Sequence, residues 1–448
     1  MNPFPPLGPV PRRRSLALRV SIAAVLAFAV CLGSGTWAAV ELGSRIDRRN
    51  QAPAGSAQST SRAPESPRSP QAGVRSAWMS AQIEAALAAH AQALLRGDER
   101  AFVAIGEPGN TAVAGELRRR YSSLRALRVA AWQPVVTNGP SEVTVAGARD
   151  QWQATVSLRH CFVVAGCQAD GLLVGTRWTE RGGKAVLVKI ERSTRAEKGP
   201  RPWEVSELRG AAGARTVVAT TARYASRLPL LLREAEKAAA VADRFVVGST
   251  RPDIYRIYLA GSDEWGKWFG ADRPPWAAGY AVSVSDRRID VVLNVLRNPD
   301  DVLDDILRHE IAHAASLIGA RYQYERHWWL TEGLADHAML YGQPASRHDA
   351  LVSGSIRQFI RRGRWDGKVA VSAPDRDATM SDAAARYGIA FLAVRRLAER
   401  FGDVKMLRFF EAVLHKGHTL ETGSQLVFGL DWAGVHADCV RSIRERVG

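Results

Sequence analysis

The stretch "HEIAHAASLIGARYQYERHWWLTEGLADH" runs from His309 to His337 and decides how this chain of 448 residues is interpreted. It begins with two histidines four residues apart, His309 and His313. Near its end a glutamate, Glu332, precedes a glycine. Residues four apart lie on the same face of a helix, so both imidazoles can reach one point beside it.

The flanking residues predict two helices. The first is expected to run for about 20 residues, with Asn298 as its N-cap and Gly319 at its end. The second is expected to begin at Glu332, with Thr331 as its cap and Gly342 closing it. The first turn of the second helix can then present Glu332 to the two histidines from across a loop.

Together these side chains make a metal site of a particular kind. Two neutral imidazoles (His309 and His313), the Glu332 carboxylate and an open position for water are the ligand set of a catalytic zinc site. Glu310 lies about 100° around the helix from His309 and can take a proton from a water held by the metal. Asp336 can accept a hydrogen bond from one ligand histidine and fix its tautomer. Zinc is therefore the predicted cofactor.

"HEIAH" and "WLTEGLADH", with eighteen residues between His313 and Glu332, resemble the gluzincin metallopeptidases, the group containing thermolysin and the membrane-alanyl-type aminopeptidases. "AAARYGIAFLAVRRLAERFG" resembles the aminopeptidase helix whose tyrosine stabilises the oxyanion. The resemblance implies a zincin-type domain, with a small sheet and a mainly helical lower half, that hydrolyses peptide bonds. It implies zinc ligands His309, His313 and Glu332, the general base Glu310, the oxyanion stabiliser Tyr387 and the orienting Asp336.

One departure from the aminopeptidases concerns substrate binding. Their Gly-x-Met-Glu-Asn segment, which grips a free amine, is absent from "WAAGYAVSVSDRRIDVV" at 276–292. Exopeptidase and endopeptidase action both stay open. Gly279 to Ser283 is predicted to be an edge strand that pairs with an extended peptide or protein substrate. The alternative function is a non-catalytic, zinc-containing binding or assembly protein.

The fold class predicted for the whole chain is α+β, in two units. Residues 76–196 read as helices followed by strands and resemble the nuclear-transport-factor-like cone fold, and residues 200–448 form the metallopeptidase-like unit. His90, His160 and Asp98 of the first unit can be read as site residues, although ordinary packed or surface positions are the preferred interpretation. Trp328 and Trp329 are expected to pack rather than to bind substrate.

The N-terminal segments predict a compartment. Residues 1–19 carry a basic head, and residues 20–42 include 21 uncharged positions, Val20 to Val40, which form about 30 Å of helix. This signal-anchor predicts a cell-membrane protein with its N-terminus in the cytoplasm and its larger units outside. A cleaved signal and a secreted protein are the alternative. The Pro- and Ser-rich residues 43–75 are predicted to be a flexible stalk.

The net charge and the cysteines limit the remaining choices of binding partner and disulfide pairing. The net charge is +16, from 61 basic and 45 acidic residues, but no basic cluster adjoins a nucleic-acid-binding motif, so no nucleic-acid partner is expected. Outside the predicted anchor, Cys161, Cys167 and Cys439 allow one disulfide in three ways, and the near pair Cys161–Cys167 is favoured. The sequence leaves the oligomeric state open.

Overall fold

The computed structural model describes residues 72–144, 150–194, 198–248, 250–270, 277–320 and 325–447. The predicted signal-anchor, residues 20–42, and almost all of the predicted stalk, residues 43–75, lie outside these ranges. Within the described ranges, no helix is both long enough and apolar enough to span a bilayer.

The first unit places three helices before an antiparallel sheet. The helices are α1 (Ala72–Arg96), α2 (Glu99–Val103) and α3 (Thr111–Ala126). The strands are β1 (Val129–Val143), β2 (Gln151–Phe162), β3 (Asp170–Arg181) and β4 (Lys184–Ile190), in the spatial order β1-β2-β3-β4. Helix α1 begins four residues before residue 76, the predicted start of this unit. The order of elements agrees with the sequence expectation, and the nuclear-transport-factor-like fold stays a prediction.

Local residues explain how this unit changes direction. Gly97 adopts a positive φ of 81° directly after α1, a conformation that glycine adopts without steric cost. Asp98 then caps α2, because its side chain accepts a hydrogen bond from the Ala101 amide. Asp98 therefore has a structural role as a helix cap.

The second unit begins with α4 (Pro202–Val205) and contains a five-stranded sheet. Its further elements are β5 (Leu208–Ala212), β6 (Thr216–Thr221), α5 (Leu228–Ala242), β7 (Tyr255–Ala260), α6 (Ser262–Lys267), β8 (Gly279–Ser285) and β9 (Arg288–Asn294). The order is β5-β6-β7-β9-β8, with β6, β7 and β9 parallel and both outer strands antiparallel to their neighbours. Strand β8 therefore lies at an edge, as predicted.

This sheet is buried on both faces. Val218 and Ile257 point to one face, where they pack against α5 and the helix that carries the histidines. Val217 and Tyr258 point to the other face and share an apolar core with Trp132 of the first unit. Parallel strands that are covered on both sides are rich in apolar residues, as here. The two units are therefore joined by a common core.

The remainder of the chain is helical. It contains α7 (Leu303–Ser316), α8 (Trp328–Met339), α9 (Ala345–Arg361), α10 (Met380–Phe401), α11 (Asp403–Phe410), α12 (Leu420–Phe428) and α13 (Trp432–Val447). The mixture of an antiparallel sheet, a mixed sheet and a helical C-terminal half agrees with the predicted α+β class.

Both helices of the candidate site begin elsewhere than predicted. Helix α7 starts at Leu303 and has 14 residues, because the Asn298 side chain is buried and bonds to strand-end carbonyl groups instead of capping the helix. Helix α8 starts at Trp328, so Thr331 lies inside it and donates a hydrogen bond to the His327 carbonyl. Helix α8 therefore begins about one turn before the predicted start, and this added turn contains the buried Trp328, Trp329 and Leu330.

The cysteines pair as favoured from the sequence. Cys161 at the end of β2 and Cys167 in the β2–β3 loop form a disulfide. Cys439 is a buried free thiol in α13, and burial raises the pKa of this thiol to about 12. A buried, protonated thiol of this kind is unreactive.

Helices α8 and α10 approach closely at Gly333, beside Glu332. A Cβ atom at Gly333 would lie 2.4 Å from the Ala390 carbonyl oxygen. We expect Gly333→Ala to reduce the free energy of unfolding by about 1–3 kcal/mol, because the extra methyl group forces the helices apart. Gly115→Ala is the matched control, since Gly115 lies in α3 with nothing within 4 Å, and it should raise stability by about 0.5–1 kcal/mol.

Both changes are measured by denaturant unfolding of the protein and of the two variants. Equal stability changes in the two variants would contradict the tight packing of α8 on α10.

Candidate metal centre

Helix α7 lies between two apolar cores and carries both histidines. Its apolar residues Ile306 and Ile311 pack toward the five-stranded sheet. The His309 and His313 rings stand edge to face, with their centroids 4.8 Å apart and an interplanar angle of 78°. Their Nε2 atoms are 3.1 Å apart. The spacing of one helical turn thus aims two nitrogen donors at one point.

Helix α8 supplies a third donor to the same point. The Oε2 atom of Glu332 lies 3.3 Å from Nε2 of His309 and 3.3 Å from Nε2 of His313. All three side chains are 0% exposed. The structure therefore brings together the three residues that the sequence nominated as metal ligands, and it holds them away from solvent.

The three donor atoms suit a zinc ion. Tetrahedral coordination with bonds of about 2.0–2.1 Å separates neighbouring donors by about 3.3–3.4 Å. The observed separations are 3.1, 3.3 and 3.3 Å. Two imidazoles with one carboxylate form the donor set of catalytic rather than structural zinc sites. His309, His313 and Glu332 thus fit zinc in both spacing and chemistry.

Asp336 orients one of the two histidines. Its Oδ1 atom lies 2.8 Å from Nδ1 of His309, so the Nδ1–H group can donate to the carboxylate while Nε2 faces the ligand cluster. Asp336 lies one helical turn after Glu332 on α8, as its spacing predicted. The same helix therefore supplies a metal donor and the group that orients another donor.

The carboxylates set the charge of this cluster. Burial lowers the pKa of His309, but hydrogen bonds with Asp336 and Glu332 outweigh burial and raise it to about 10. Burial raises the pKa of Glu332, whereas the neighbouring imidazoles lower it to about 2. Without a metal, a protonated His309 thus places one positive charge beside the buried carboxylates near neutral pH. A metal has to displace this proton.

Glu310 lies against the start of the edge strand. It is 0% exposed, like His309, His313 and Glu332. A Cβ atom at Gly279, the first residue of β8, would be 2.5 Å from Oε1 of Glu310. Glycine at this position therefore gives the carboxylate the space that it occupies beside β8.

Asn298 holds the strand at this point, a role that the sequence analysis missed. Its Nδ2 atom donates to the Ala278 carbonyl at 2.6 Å and to the Asn294 carbonyl at 2.8 Å. The Asn294 amide donates to the same Ala278 carbonyl at 2.8 Å. Asn298 therefore ties the ends of β8 and β9 together directly before Gly279. A capping residue and a strand-tying residue look alike in sequence, so no local signal distinguishes these roles.

Tyr387 lies near the ligands on α10. It is 1% exposed, and its ring centroid is 6.4 Å from that of His309. Trp328 meets its ring edge to face at 4.8 Å. Trp329 is fully buried and packs near Trp432, so both tryptophans act in packing. The structure places the Tyr387 ring near that of His309, and the oxyanion role implied by the resemblance to the aminopeptidases stays a prediction.

The other histidines whose side chains the structure describes do not belong to this group of donors. His337 pairs with Asp403 at 3.0 Å, and His90 stacks on Phe102 with ring centroids 3.8 Å apart. His160 is buried, and its Nε2 atom lies 3.0 Å from a guanidinium nitrogen of Arg288. His327 is buried as well, and the side chain of His348 falls outside the described part of the chain. His90 and His160 are therefore packed residues, as preferred from the sequence.

Comparison with solved structures finds similarity to zinc metallopeptidases at low scores. Native yeast LTA4 hydrolase is 14% identical, with a TM-score of 0.36 over 68% of this chain and 44% of that one. Yeast LTA4 hydrolase in complex with Bestatin is 18% identical, with a TM-score of 0.34 over 49% of this chain and 35% of that one. An M1 zinc metallopeptidase from Deinococcus radiodurans is 17% identical, with a TM-score of 0.30 over 60% of this chain and 58% of that one.

The chain thus spans between about a third and three fifths of the length of these structures. No protein-family model and no curated protein matches it. Similarity at this level carries no argument about activity, which has to come from the side chains of the centre.

Proton release provides a test of the metal centre. We expect zinc binding to the chelator-treated protein to release about one proton near neutral pH, because His309 must lose its proton to become a ligand. Zinc affinity should accordingly rise with pH until the pKa of His309, about 10, is passed. Calorimetric titrations in buffers of different ionisation enthalpy measure the released protons.

Two variants test whether the proton release depends on Asp336. On binding zinc, Asp336→Asn should release fewer protons than the wild-type protein, and it should bind zinc about 10- to 100-fold more weakly. Asp403→Asn, which alters the His337 pair instead, should leave both quantities unchanged. Equal proton release by the wild type and Asp336→Asn would contradict the orienting role of Asp336.

Proposed function

We propose that the chain is a zinc metallopeptidase, with His309, His313 and Glu332 as the metal ligands. The observation that supports this most strongly is the triangle of Nε2, Nε2 and Oε2 atoms, 3.1–3.3 Å on each side, with Glu310 on the same helix as both histidines. A purely structural zinc site has no use for a carboxylate at the position of Glu310, and it usually has four protein ligands.

The roles of the side chains follow from their positions. Zinc, when bound, supplies a Lewis acid that acidifies water and polarises a carbonyl group. The Glu310 carboxylate accepts a proton from the attacking water and then delivers it to the departing amine nitrogen. The Tyr387 hydroxyl donates a hydrogen bond to the oxyanion that forms on the substrate. Asp336 keeps His309 in the tautomer that leaves Nε2 available.

The substrate is a peptide or a protein. Strand β8 lies at the edge of the sheet, and its first residue, Gly279, touches Glu310. An extended substrate can add to such an edge by main-chain hydrogen bonds, which do not require a free terminus. Together with the missing Met-Glu-Asn segment, this favours cleavage within a chain over removal of an N-terminal residue.

We place this peptidase outside the cell membrane, attached by the predicted signal-anchor at residues 20–42 and the stalk at 43–75. The Cys161–Cys167 disulfide supports an oxidising compartment, since such bonds persist outside the cytosol. Cleavage of the hydrophobic segment, which would yield a secreted enzyme, is the alternative. A carbonate wash of membranes distinguishes the two forms, because only an anchored protein stays with the bilayer.

A second candidate function is supported by burial. His309, Glu310, His313 and Glu332 have no exposed surface, although a peptidase must admit a substrate to them. A non-catalytic binding or assembly protein that retains zinc for stability would show the same burial. Turnover, and not zinc content, separates the two functions.

The decisive variant is Glu310→Gln, tested on an unbiased peptide library. It keeps the shape of the side chain but cannot accept a proton, so we expect bound zinc to be unchanged and hydrolysis to fall by about 10²–10⁴-fold. Glu445→Gln, at an exposed position of α13, is the control that should keep full activity. Hydrolysis by Glu310→Gln at the wild-type rate would refute the assignment, and zinc without hydrolysis in any of the three proteins would favour the binding protein.

A further inference from the structure

A hollow of about 480 Å³ lies beside the Cys161–Cys167 disulfide, where the two units meet. Its walls come from β1, from the end of β2 with the β2–β3 loop, and from the β8–β9 turn. None of the residues of the metal centre lines it. Its volume falls within the range of sites that hold small ligands or several peptide side chains.

Positive charge and amide groups dominate this hollow. Arg159 from β2 and Arg287 from the β8–β9 turn both line it, and both are exposed. No acidic side chain is among the described residues that line the hollow. Gln133 and Gln168 add side-chain amides that can donate hydrogen bonds. These groups suit a ligand with carboxylates, because a guanidinium matches a carboxylate with two parallel hydrogen bonds.

A second cavity of about 190 Å³ adjoins the hollow and shares Cys167, Gln168 and Arg287 with it. Two of its arginines are paired with carboxylates, and Asp253 adds an acidic residue to its lining. Arg256 pairs with Asp290 at 2.5 Å, and Arg251 pairs with Asp243. Apolar side chains complete its lining: Ile254, Ile289 and Ile318. The hollow and the cavity together form one groove, here called the junction groove, with a cationic part and a more apolar part.

We propose that the junction groove binds an acidic peptide segment. Its carboxylates pair with Arg159 and Arg287, and its apolar side chains enter the second cavity beside Ile254 and Ile289. A single-stranded nucleic acid suits the groove less well, since it requires exposed aromatic surfaces for stacking, and the aromatic lining residue Phe162 is buried. The net charge of +16 draws acidic partners toward the protein.

A disulfide and a hydrogen bond hold the walls of the junction groove in place before a ligand binds. The disulfide closes the β2–β3 loop that forms one wall, and the Arg288 guanidinium donates to the His160 carbonyl at 2.9 Å across the junction of the units. A site that is already formed loses little entropy on binding. Ligand contacts with Arg159 and Arg287 would therefore engage both units at once.

The position of the groove relates it to the metal centre. Strand β8 runs from Gly279, beside Glu310, to Ser285, directly before the turn that carries Arg287. Seven extended residues span about 20–24 Å. An acidic segment held in the groove can therefore belong to the same substrate chain that reaches the metal centre. This recruiting role rests on the proposed peptidase function, whereas binding by the groove does not.

Binding is tested with the full-length protein carrying Glu310→Gln, so that no peptide is consumed. A fluorescently labelled peptide that alternates glutamate and leucine is titrated and followed by anisotropy, beside a peptide with glutamine in place of glutamate and one with serine in place of leucine. We expect the glutamate–leucine peptide to bind at least about tenfold more tightly than the other two. Arg159→Glu and Arg287→Glu should each weaken its binding by about tenfold or more, without a change in thermal stability.

Arg118→Glu makes the same charge change at an exposed position of α3 and serves as the control that should bind as the parent protein does. Equal binding of the glutamate and glutamine peptides, or equal losses in Arg118→Glu and the two groove variants, would overturn the acidic-peptide site. Displacement of the peptide by inorganic phosphate or by a single-stranded oligonucleotide at similar concentrations would also overturn it, in favour of a general anion site. Glu310→Gln lacking turnover has no bearing on these results, so failure of the peptidase assignment and failure of the groove are separable.

Discussion

The structure depends on one buried anion. Glu332 has no exposed surface, and a carboxylate in such a place is costly unless cationic or metal partners neutralise it. The imidazoles of His309 and His313 stand 3.3 Å from its Oε2 atom and lower the pKa of this carboxyl to about 2. Helices α7 and α8 must therefore stay in contact here, and zinc is the partner that we propose for all three donors.

The rest of the chain holds these two helices in place. The five-stranded sheet supports α7 on one face, and the first unit fills the opposite face with a shared apolar core. Because Gly333 has no side chain, helix α8 can pack closely against α10. Asn298 ties the ends of β8 and β9, which places Gly279 against Glu310. The first unit thus supports the candidate metal centre through the sheet.

The sequence predicts those features of the candidate site that follow from the spacing of residues within one helix. The separation of His309 and His313, and that of Glu332 and Asp336, each equal one helical turn, so the common faces follow from helix geometry alone. The helix starts were predicted wrongly, because Asn298 serves a distant carbonyl and Trp328 extends α8 to bury its ring. Such choices depend on tertiary neighbours that a local pattern does not contain.

Other features needed the assembled fold. The closeness of Gly333 to Ala390 depends on two helices far apart in sequence. The junction groove combines Arg159 and Arg287, which are 128 positions apart and belong to different units. The predicted membrane anchor is encoded by composition alone and lies outside the described residues.

X-ray absorption at the zinc edge of the full-length protein tests the metal centre most directly, with His313→Ala measured beside it. We predict a single class of zinc with nitrogen and oxygen donors at about 2.0–2.1 Å, an imidazole signature, and loss of that zinc in His313→Ala. Sulfur donors, or zinc that persists unchanged in His313→Ala, would contradict a metal centre built from His309, His313 and Glu332.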